Sequence, residues 1–187
     1  MSKTALLILD LQNGILERVP NVAALFPHYA STIAAARSAS LPVIYVKLGF
    51  RPNHPDVSPR NKMFERIKPY GGFVEGSDAT EVHPSIAPIE GDIIVTKRRV
   101  SAFAGSDLEL VLRSLGVEKL VLAGLSTSGV VLSTVRQASD MDYGVTVLSD
   151  LCFDGDAEVH KVLVERVFPK QAEVTTADEW VAGLNAV

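Results

Sequence analysis

Two charged residues, Asp10 and Lys97, each come at the end of a short apolar run in this 187-residue chain. A carboxylate that follows a buried strand is partly desolvated, which raises its pKa, while a nearby ammonium lowers the pKa again. An acid held between these effects can donate or accept a proton near neutral pH, and a fixed cation beside it can stabilise developing negative charge. The other interpretations are a helix cap or loop aspartate at Asp10 and a solvated cationic cluster at residues 97–99.

A third candidate segment, residues 124–130, follows another apolar run and reads Gly-Leu-Ser-Thr-Ser-Gly-Val. Small and hydroxylated residues at the start of a helix leave backbone N–H groups free to hold a carboxylate or an oxyanion. Serine and threonine also cap helices that bind no ligand, so the composition of this segment alone does not choose between the two. The segment lacks the Gly-Lys-Ser/Thr of a phosphate-binding loop, and no Gly-x-Gly-x-x-Gly follows the first run.

Six short apolar runs alternate with segments of helical periodicity along the chain. The runs are residues 5–9, 42–46, 92–96, 120–123, 145–148 and 172–175. Most are continuous rather than alternating, which is typical of strands that are buried on both faces of a parallel sheet. The pattern predicts an α/β fold with helices on both faces of that sheet. Because ligands bind beyond the carboxyl ends of such strands, we expect Asp10, Lys97 and Gly124 to lie at the same edge.

Capping signals bound the helices that are predicted between these runs. Ser106 precedes and Gly116 follows a helix with leucines at positions 108, 112 and 115. Asp156 is a candidate cap for a later helix, and Thr176 with Glu179 indicates a capping box before the last one. Two further helices are predicted, one over residues 22–38 and one from residue 127 to the glycine at 144.

One segment, residues 49–91, breaks the alternation of strands and helices. It is rich in proline, glycine and histidine and is long for a connection. Loops of this kind usually act as lids or interface elements. The segment is too short and too poor in apolar periodicity to form a second domain, so residues 1–187 are predicted to form a single domain.

The composition of the chain excludes several classes of protein. A net charge of −4 provides no electrostatic footprint for nucleic acid and no basic patch for a membrane surface. No stretch approaches the ~20 apolar residues that span a bilayer, and the N-terminus does not resemble a signal peptide. Cys152 is the single cysteine, so no disulfide forms within the chain. We expect a cytoplasmic protein whose partner is a small-molecule substrate, with neither nucleic acid nor membrane as a partner.

Taken together, three segments resemble the isochorismatase-like hydrolases, a family of the cysteine hydrolase superfamily. They are residues 9–12, 97–103 and 124–130, and residues 79–84 and 168–172 are also similar to family segments. The resemblance covers essentially the whole chain. It implies a three-layer α/β/α sandwich with a six-stranded parallel sheet, assembled as a homodimer or homotetramer.

The resemblance also implies roles for individual residues. In relatives with a catalytic cysteine, an aspartate and a lysine complete a triad; these two match Asp10 and Lys97, and Val130 stands in the place of the cysteine. A cis peptide bond is implied between Leu125 and Ser126, and the backbone N–H groups of Ser126 and Val130 are the implied oxyanion donors. The candidate substrate-binding residues are Gln12, Phe103, Ser126, Thr127, Gly129 and Val130.

Valine at position 130 changes the expected chemistry. A thiolate attacks amides and leaves a thioester intermediate, whereas valine can do neither. Isochorismatases proper also lack the cysteine, and they cleave a vinyl ether, a reaction that needs a proton donor rather than a nucleophile. We therefore predict a hydrolase of a small carboxylated metabolite that uses Asp10 as its acid, with isochorismate as the specific candidate.

Other interpretations remain open on the sequence alone. The fold can belong to a catalytically inactive or repurposed small-molecule binding protein. Cys152 can be a substitute nucleophile or a small buried hydrophobic residue, and Phe103 can line a pocket or pack in the core. No metal and no cofactor are expected, since residues 48–54 lack the Asp-x-His metal motif of some nicotinamidases and the four histidines suggest no ligand set.

Overall fold

Six parallel strands form one sheet in the computed structural model, which describes residues 3–17, 19, 22–70 and 72–184. The strands are β1 (Lys3–Leu9), β2 (Val43–Leu48), β3 (Ile93–Lys97), β4 (Val117–Leu125), β5 (Gly144–Phe153) and β6 (Glu173–Thr175). Their order in the sheet is β3-β2-β1-β4-β5-β6, and every neighbouring pair is parallel. The predicted six-stranded parallel sheet is confirmed.

Helices cover both faces of this sheet. They are α1 (Asn13–Leu16), α2 (Phe26–Ser38), α3 (Lys62–Glu65), α4 (Leu108–Leu115), α5 (Leu132–Asp140), α6 (Ala157–Val162) and α7 (Ala177–Leu184). Leu7 and Leu9 of β1 belong to one core with buried residues of α4 and α5, whereas Leu6 and Ile8 belong to another with residues of α2 and α7. Both faces of β1 are therefore buried, which explains its uninterrupted apolar sequence. None of the described helices is long and apolar enough to cross a membrane.

The strand order reverses at β1, because β1 pairs with both β2 and β4. Leu9 at the end of β1 lies opposite Val46 of β2 and Gly124 of β4. One strand further along, Leu48 of β2 lies opposite Lys97 of β3. The carboxyl ends of these strands meet beside the crevice in which open α/β sheets bind their ligands.

Several predicted helix ends are confirmed by hydrogen bonds. The Asp156 carboxylate accepts from two backbone N–H groups in the first turn of α6. Thr176 and Glu179 form the two reciprocal bonds of a capping box at the start of α7. Gly116 ends α4 with a left-handed φ of 66°, and the Ser106 hydroxyl accepts a bond from the first backbone N–H of that helix.

The structure departs from the predicted elements in three places. The helix predicted over residues 22–38 begins as a 3₁₀ turn, Val22–Leu25, before α2 starts. The helix predicted from residue 127 begins as a π turn, Thr127–Val131, and α5 starts only afterwards. Strand β5 is longer than predicted, because after an irregularity it pairs again with β4, where Cys152 lies opposite Gly124. Cys152 therefore lies within β5, whereas the apolar run predicted that this strand ends at residue 148.

The segment of residues 49–91 lies against the ends of β2 and β3. It contains α3 and three short 3₁₀ turns, and it shares an apolar cluster with the end of β2, made of Leu48, Phe50, Val57, Phe64 and Phe73. Arg98, which follows β3, donates a 2.7 Å hydrogen bond to the carbonyl oxygen of Gly49 and forms a 3.0 Å ion pair with Glu75. These contacts hold the segment beside the crevice.

Candidate active site

Asp10 and Lys97 form a buried ion pair at the carboxyl edge of the sheet. The Oδ2 atom of Asp10 lies 2.9 Å from Nζ of Lys97. Asp10 adopts a left-handed φ of 58°, a conformation that aspartate tolerates better than most residues, and its N–H donates to the carbonyl oxygen of Val46. The ammonium of Lys97 also donates a 3.0 Å hydrogen bond to the carbonyl oxygen of Arg99. The structure therefore brings the ends of β1 and β3 together at one edge of the sheet, as predicted.

The two oxygens of the Asp10 carboxylate have different surroundings. Oδ2 contacts Lys97, whereas Oδ1 is buried and has no hydrogen-bond partner among the described residues. Burial raises the pKa of Asp10 above its ordinary value, and the charge of Lys97 and its hydrogen bond act in the opposite direction. When protonated, this carboxyl has an O–H to donate from an oxygen that no described protein group occupies.

The turn after β4 forms a second part of the site. The peptide bond between Leu125 and Ser126 is cis, as the resemblance implies. At Gly124 a Cβ atom would lie 2.2 Å from the carbonyl oxygen of Leu9, so the close approach of β1 and β4 requires glycine there. The N–H of Ser128 donates a 2.6 Å bond to a carboxylate oxygen of Asp154, which ties the turn to the end of β5.

A cavity of about 240 Å³ connects the ion pair with this turn. Its lining includes Asp10 and Lys97 as well as Ser126, Gly129 and Val130 of the turn. Most of the remaining wall is apolar and comes from Ile15, Met63, Phe64, Ile67, Phe73 and Val100. The site is thus a small, largely hydrocarbon-lined space with one buried ion pair in its wall. Among the described residues, no group of three or more His, Cys, Asp or Glu side chains is arranged to hold a metal ion.

Comparison with known proteins gives matches that cover nearly the whole chain. Residues 4–179 match the Isochorismatase domain. The chain belongs to the isochorismatase family. YecD, an isochorismatase family protein of Escherichia coli O157:H7, is 31% identical over 180 residues, which cover 94% of this chain and 93% of YecD. The ureidoacrylate amidohydrolase RutB of Variovorax paradoxus is 29% identical over 203 residues, covering 96% of this chain and 81% of RutB.

The fold of this isochorismatase family member closely matches that of a solved structure. An isochorismatase family protein from Burkholderia thailandensis has 30% sequence identity and a TM-score of 0.88, with 98% of this chain and 96% of that chain covered. The predicted family and its three-layer α/β/α fold are confirmed. The family contains hydrolases, and its relatives include amidohydrolases of small substrates.

Gln12, a predicted substrate-binding residue, does not line the cavity of this family member. Its side chain is fully buried, and Nε2 donates to the carbonyl oxygens of Leu48, at 2.8 Å, and Thr80, at 3.1 Å. Its Oε1 accepts a 2.7 Å bond from the N–H of Leu48. The amide thus joins the end of β2 to the segment of residues 49–91, and it stabilises the crevice without facing it.

Phe103 and Thr127, also predicted to bind substrate, lie outside the cavity lining as well. Phe103 is part of the core on one face of the sheet, and its ring centroid lies 5.9 Å from that of Tyr143. The Thr127 hydroxyl is buried and lies 2.9 Å from Nδ1 of His160. Of the six predicted binding residues, the structure therefore brings Ser126, Gly129 and Val130 together with the ion pair.

Cys152 has none of the features of a nucleophile in the described structure. It is a residue of β5 that is buried in the core, and it does not belong to the cavity lining. Burial raises the pKa of its thiol to about 12, so the reactive thiolate is scarce at neutral pH. The interpretation of Cys152 as a small buried hydrophobic residue accounts for these observations.

Sequence reasoning did not identify which residues of the segment 49–91 form the apolar wall of the site. Phe64 is oriented by α3, where the side chain of Asn61 accepts a bond from its N–H. Phe50 lies behind the wall, with its ring 5.2 Å from that of Phe64 in an edge-on arrangement. The only local signal was the presence of phenylalanine and isoleucine in an otherwise polar segment.

Proposed function

We propose that this member of the isochorismatase family is a hydrolase that moves a proton through Asp10 and forms no covalent bond with its substrate. The observation that carries the proposal is the Asp10 carboxyl in the cavity wall, with one oxygen bound to Lys97 and the other without a partner among the described residues. Because burial raises the pKa of Asp10, its protonated form persists to higher pH than that of an exposed carboxyl.

The side chain at position 130 supports a reaction without a covalent intermediate. Val130 lines the cavity and has no atom that can attack a carbonyl carbon. The single thiol of the chain, that of Cys152, lies elsewhere and is held in its protonated form by burial. Hydrolysis by initial protonation and attack of water is therefore the mechanism that these residues can perform.

Cleavage of a vinyl ether is such a reaction. Protonated Asp10 gives its proton to the terminal alkene carbon, and the ether oxygen shares the positive charge that develops on the neighbouring carbon. Water then bonds to that carbon and loses a proton to the Asp10 carboxylate. In the resulting hemiketal the hydroxyl proton moves to the ether oxygen as the carbon–oxygen bond breaks, which gives a ketone and an alcohol. Lys97 stabilises the Asp10 carboxylate while the proton is on the substrate.

Isochorismate, the vinyl ether that the sequence suggested, is one test substrate for this proposal. Its hydrolysis by this route releases pyruvate, which is easily measured. Smaller vinyl ethers belong in the same assay, as do amides such as ureidoacrylate, because a relative is a ureidoacrylate amidohydrolase. The reaction class, rather than one substrate, is the content of the proposal.

A small-molecule binding protein is the second candidate, and Val130 is the observation that favours it. A cavity that retains the ion pair but has valine at the place of the family cysteine can bind a substrate-like ligand without converting it. Such a protein gives no turnover with ethers, amides or esters. Its thermal stability nevertheless rises with the ligand, and this rise depends on Lys97.

Turnover by the purified chain and two variants tests the proposal. Asp10→Asn keeps the size of the side chain but removes the transferable proton, so it should abolish hydrolysis of any accepted ether. Cys152→Ser is the matched control and should retain activity, because the thiol lies outside the cavity. Activity that survives Asp10→Asn, or that disappears in a folded Cys152→Ser protein, would contradict the proposal. Stabilisation by ligand with no turnover at all would favour the binding protein.

A further inference from the structure

The hydrocarbon wall of the Asp10 cavity restricts what the site can accept. We propose that the substrate has an apolar body of about one six-membered ring and carries at most one negative charge. The inference rests on the proposed function for the choice of site, and it adds the chemical class of the substrate. Three independent features of the cavity lead to it: the origin of its wall, its volume and its charge balance.

The wall contributed by residues 49–91 is apolar and firmly supported. Phe64 and Phe73 are buried members of the cluster that packs on the end of β2, and Phe50 supports Phe64 from behind. Met63 stands at the rim with 58% of its surface exposed. The flexible thioether of methionine adapts its shape to different apolar groups. A ligand in this space therefore contacts mainly carbon and sulfur atoms on one side.

The lining residues from outside the segment 49–91 do not offset this apolar character. Ile15 and Val100 belong to the lining, and Val130 adds two methyl groups where a polar thiol would stand. A polar group of the ligand that faces these side chains loses its hydrogen bonds to water without replacement. Only the region around Asp10, Lys97 and the Ser126 turn offers polar partners among the described lining residues.

The volume of the cavity limits the size of the apolar body. An engineered apolar cavity of about 150 Å³ binds benzene. The 240 Å³ of this cavity therefore holds one six-membered ring with a short reacting group, and it falls below the range of pockets that hold drug-sized ligands. A ring with two extended charged substituents would have to extend beyond this volume, through the open mouth of the cavity.

The charges in the site balance no more than one carboxylate. Lys97 is the cation in the described lining, and Asp10 already neutralises it. Protonation of Asp10, which the proposed reaction requires, leaves one positive charge for the substrate. The nearby guanidinium of Arg98 is engaged by Gly49 and Glu75 and does not belong to the lining. A dianion would bring an uncompensated charge into a hydrocarbon-lined cavity.

Binding of four simple probes to the wild-type chain tests this inference by isothermal titration calorimetry. Benzoate, phthalate and benzamide share one ring and differ in charge, while propionate keeps the carboxylate without the ring. We expect benzoate to bind about tenfold more tightly than phthalate and about tenfold more tightly than propionate. Lys97→Met should weaken binding of benzoate but leave binding of benzamide nearly unchanged.

A charge introduced at the rim provides a second test with a matched control. Met63→Lys adds a cation beside the cavity and should raise the affinity for phthalate about fivefold. Leu110→Lys adds the same charge at a similarly exposed position on α4, which does not line the cavity, and should have no effect. Equal effects of the two variants, tighter binding of phthalate than of benzoate, or no binding of any ring probe at millimolar concentration would overturn the inference.

These outcomes separate the inference from the proposed function. Selective binding of benzoate without turnover of any ether would support the inferred ligand class and contradict the proposed hydrolase activity. Turnover that depends on Asp10 but prefers dicarboxylates, isochorismate included, would support the proposed hydrolase activity and contradict the inferred substrate class.

Discussion

The carboxylate of Asp10 lies 2.9 Å from the ammonium of Lys97, although β2 runs between the strands that carry them. Lys97 is the last residue of β3, and Asp10 directly follows β1. The two residues are only 1% and 5% exposed, respectively. The ion pair thus spans the end of β2 within apolar surroundings, where each charge depends on the other for compensation.

Replacing Lys97 with methionine should lower the free energy of unfolding by about 3–5 kcal/mol at neutral pH, because it leaves the buried Asp10 carboxylate without a counter-charge. Urea denaturation followed by circular dichroism measures this loss. Lys47→Met is the control. The ammonium of Lys47 pairs at 3.3 Å with the exposed carboxylate of Glu81, which stays in water when the lysine is removed, so the loss should be about 0–1 kcal/mol.

The double variant Asp10→Asn/Lys97→Met completes this test. It removes both buried charges, so it should recover most of the stability that Lys97→Met loses. If Lys97→Met costs no more than Lys47→Met, or if the double variant is the least stable of the set, the pair is not the buried and coupled unit described above.

The rate of the proposed hydrolysis should fall as the pH rises through the pKa of Asp10 in the folded protein. The acid acts only when protonated, and burial raises this pKa above its ordinary value of 3.8. Lys97 lowers the pKa, so Lys97→Met should move the fall in kcat/KM to higher pH, while Lys47→Met should leave it in place. A wild-type profile that rises over this range would contradict the assignment of Asp10 as the acid.

The contribution of Asp10 to protein stability should also fall as the pH rises. The folded chain holds this proton more tightly than the unfolded chain, because the folded-state pKa is the higher of the two. The contribution of Asp10 to stability is therefore greatest below about 3.8 and is lost as the pH rises through the folded-state pKa. The difference in unfolding free energy between wild type and Asp10→Asn, measured over the acidic range, reports it.

The sequence predicted the part of the site that lies at strand ends. Asp10, Lys97 and Gly124 each follow or end an apolar run, and the carboxyl ends of parallel strands must meet, so their proximity could be inferred without a structure. Gln12 shows the limit of this reasoning. A polar residue two positions after Asp10 suits a binding role, but its amide is used on backbone groups of Leu48 and Thr80.

The wall formed by residues 49–91 could not be predicted because it depends on contacts distant in sequence. Phe64 and Phe73 have no helical or alternating pattern around them, and they meet only when the segment packs on the end of β2. The position of Cys152 was missed for a similar reason, since β5 continues past an irregularity that only its pairing with β4 maintains. The cytoplasmic location and the homodimer or homotetramer stay predictions.

A cysteine introduced at position 130 should be chemically accessible in the native protein. Val130 and its neighbour Val131 are both buried in the core, but Val130 lines the cavity and Val131 is absent from the lining. Val130→Cys should therefore react with iodoacetamide much faster than Val131→Cys, and faster than the native Cys152 in both proteins. Peptide mass spectrometry assigns the labelled site.

Equal labelling of all three thiols under native conditions would contradict the described lining. In urea, by contrast, all three should react at similar rates, because unfolding removes the differences in burial that separate them. This second measurement ensures that a slow native reaction reflects burial rather than an unreactive reagent.

Gly124→Ala should strongly destabilise the end of β4. The added Cβ would lie 2.2 Å from the carbonyl oxygen and 2.6 Å from the Cβ of Leu9, so the backbones of β1 and β4 must separate. We expect a loss of about 3 kcal/mol or more in the free energy of unfolding. Gly155→Ala is the control, since no described residue other than its chain neighbours has an atom within 4 Å of the added Cβ, and it should change stability by at most about 0.5 kcal/mol. Because Leu9 precedes Asp10, any folded Gly124→Ala protein should also have reduced turnover; wild-type stability and turnover in this variant would mean that β1 and β4 do not approach as closely as described.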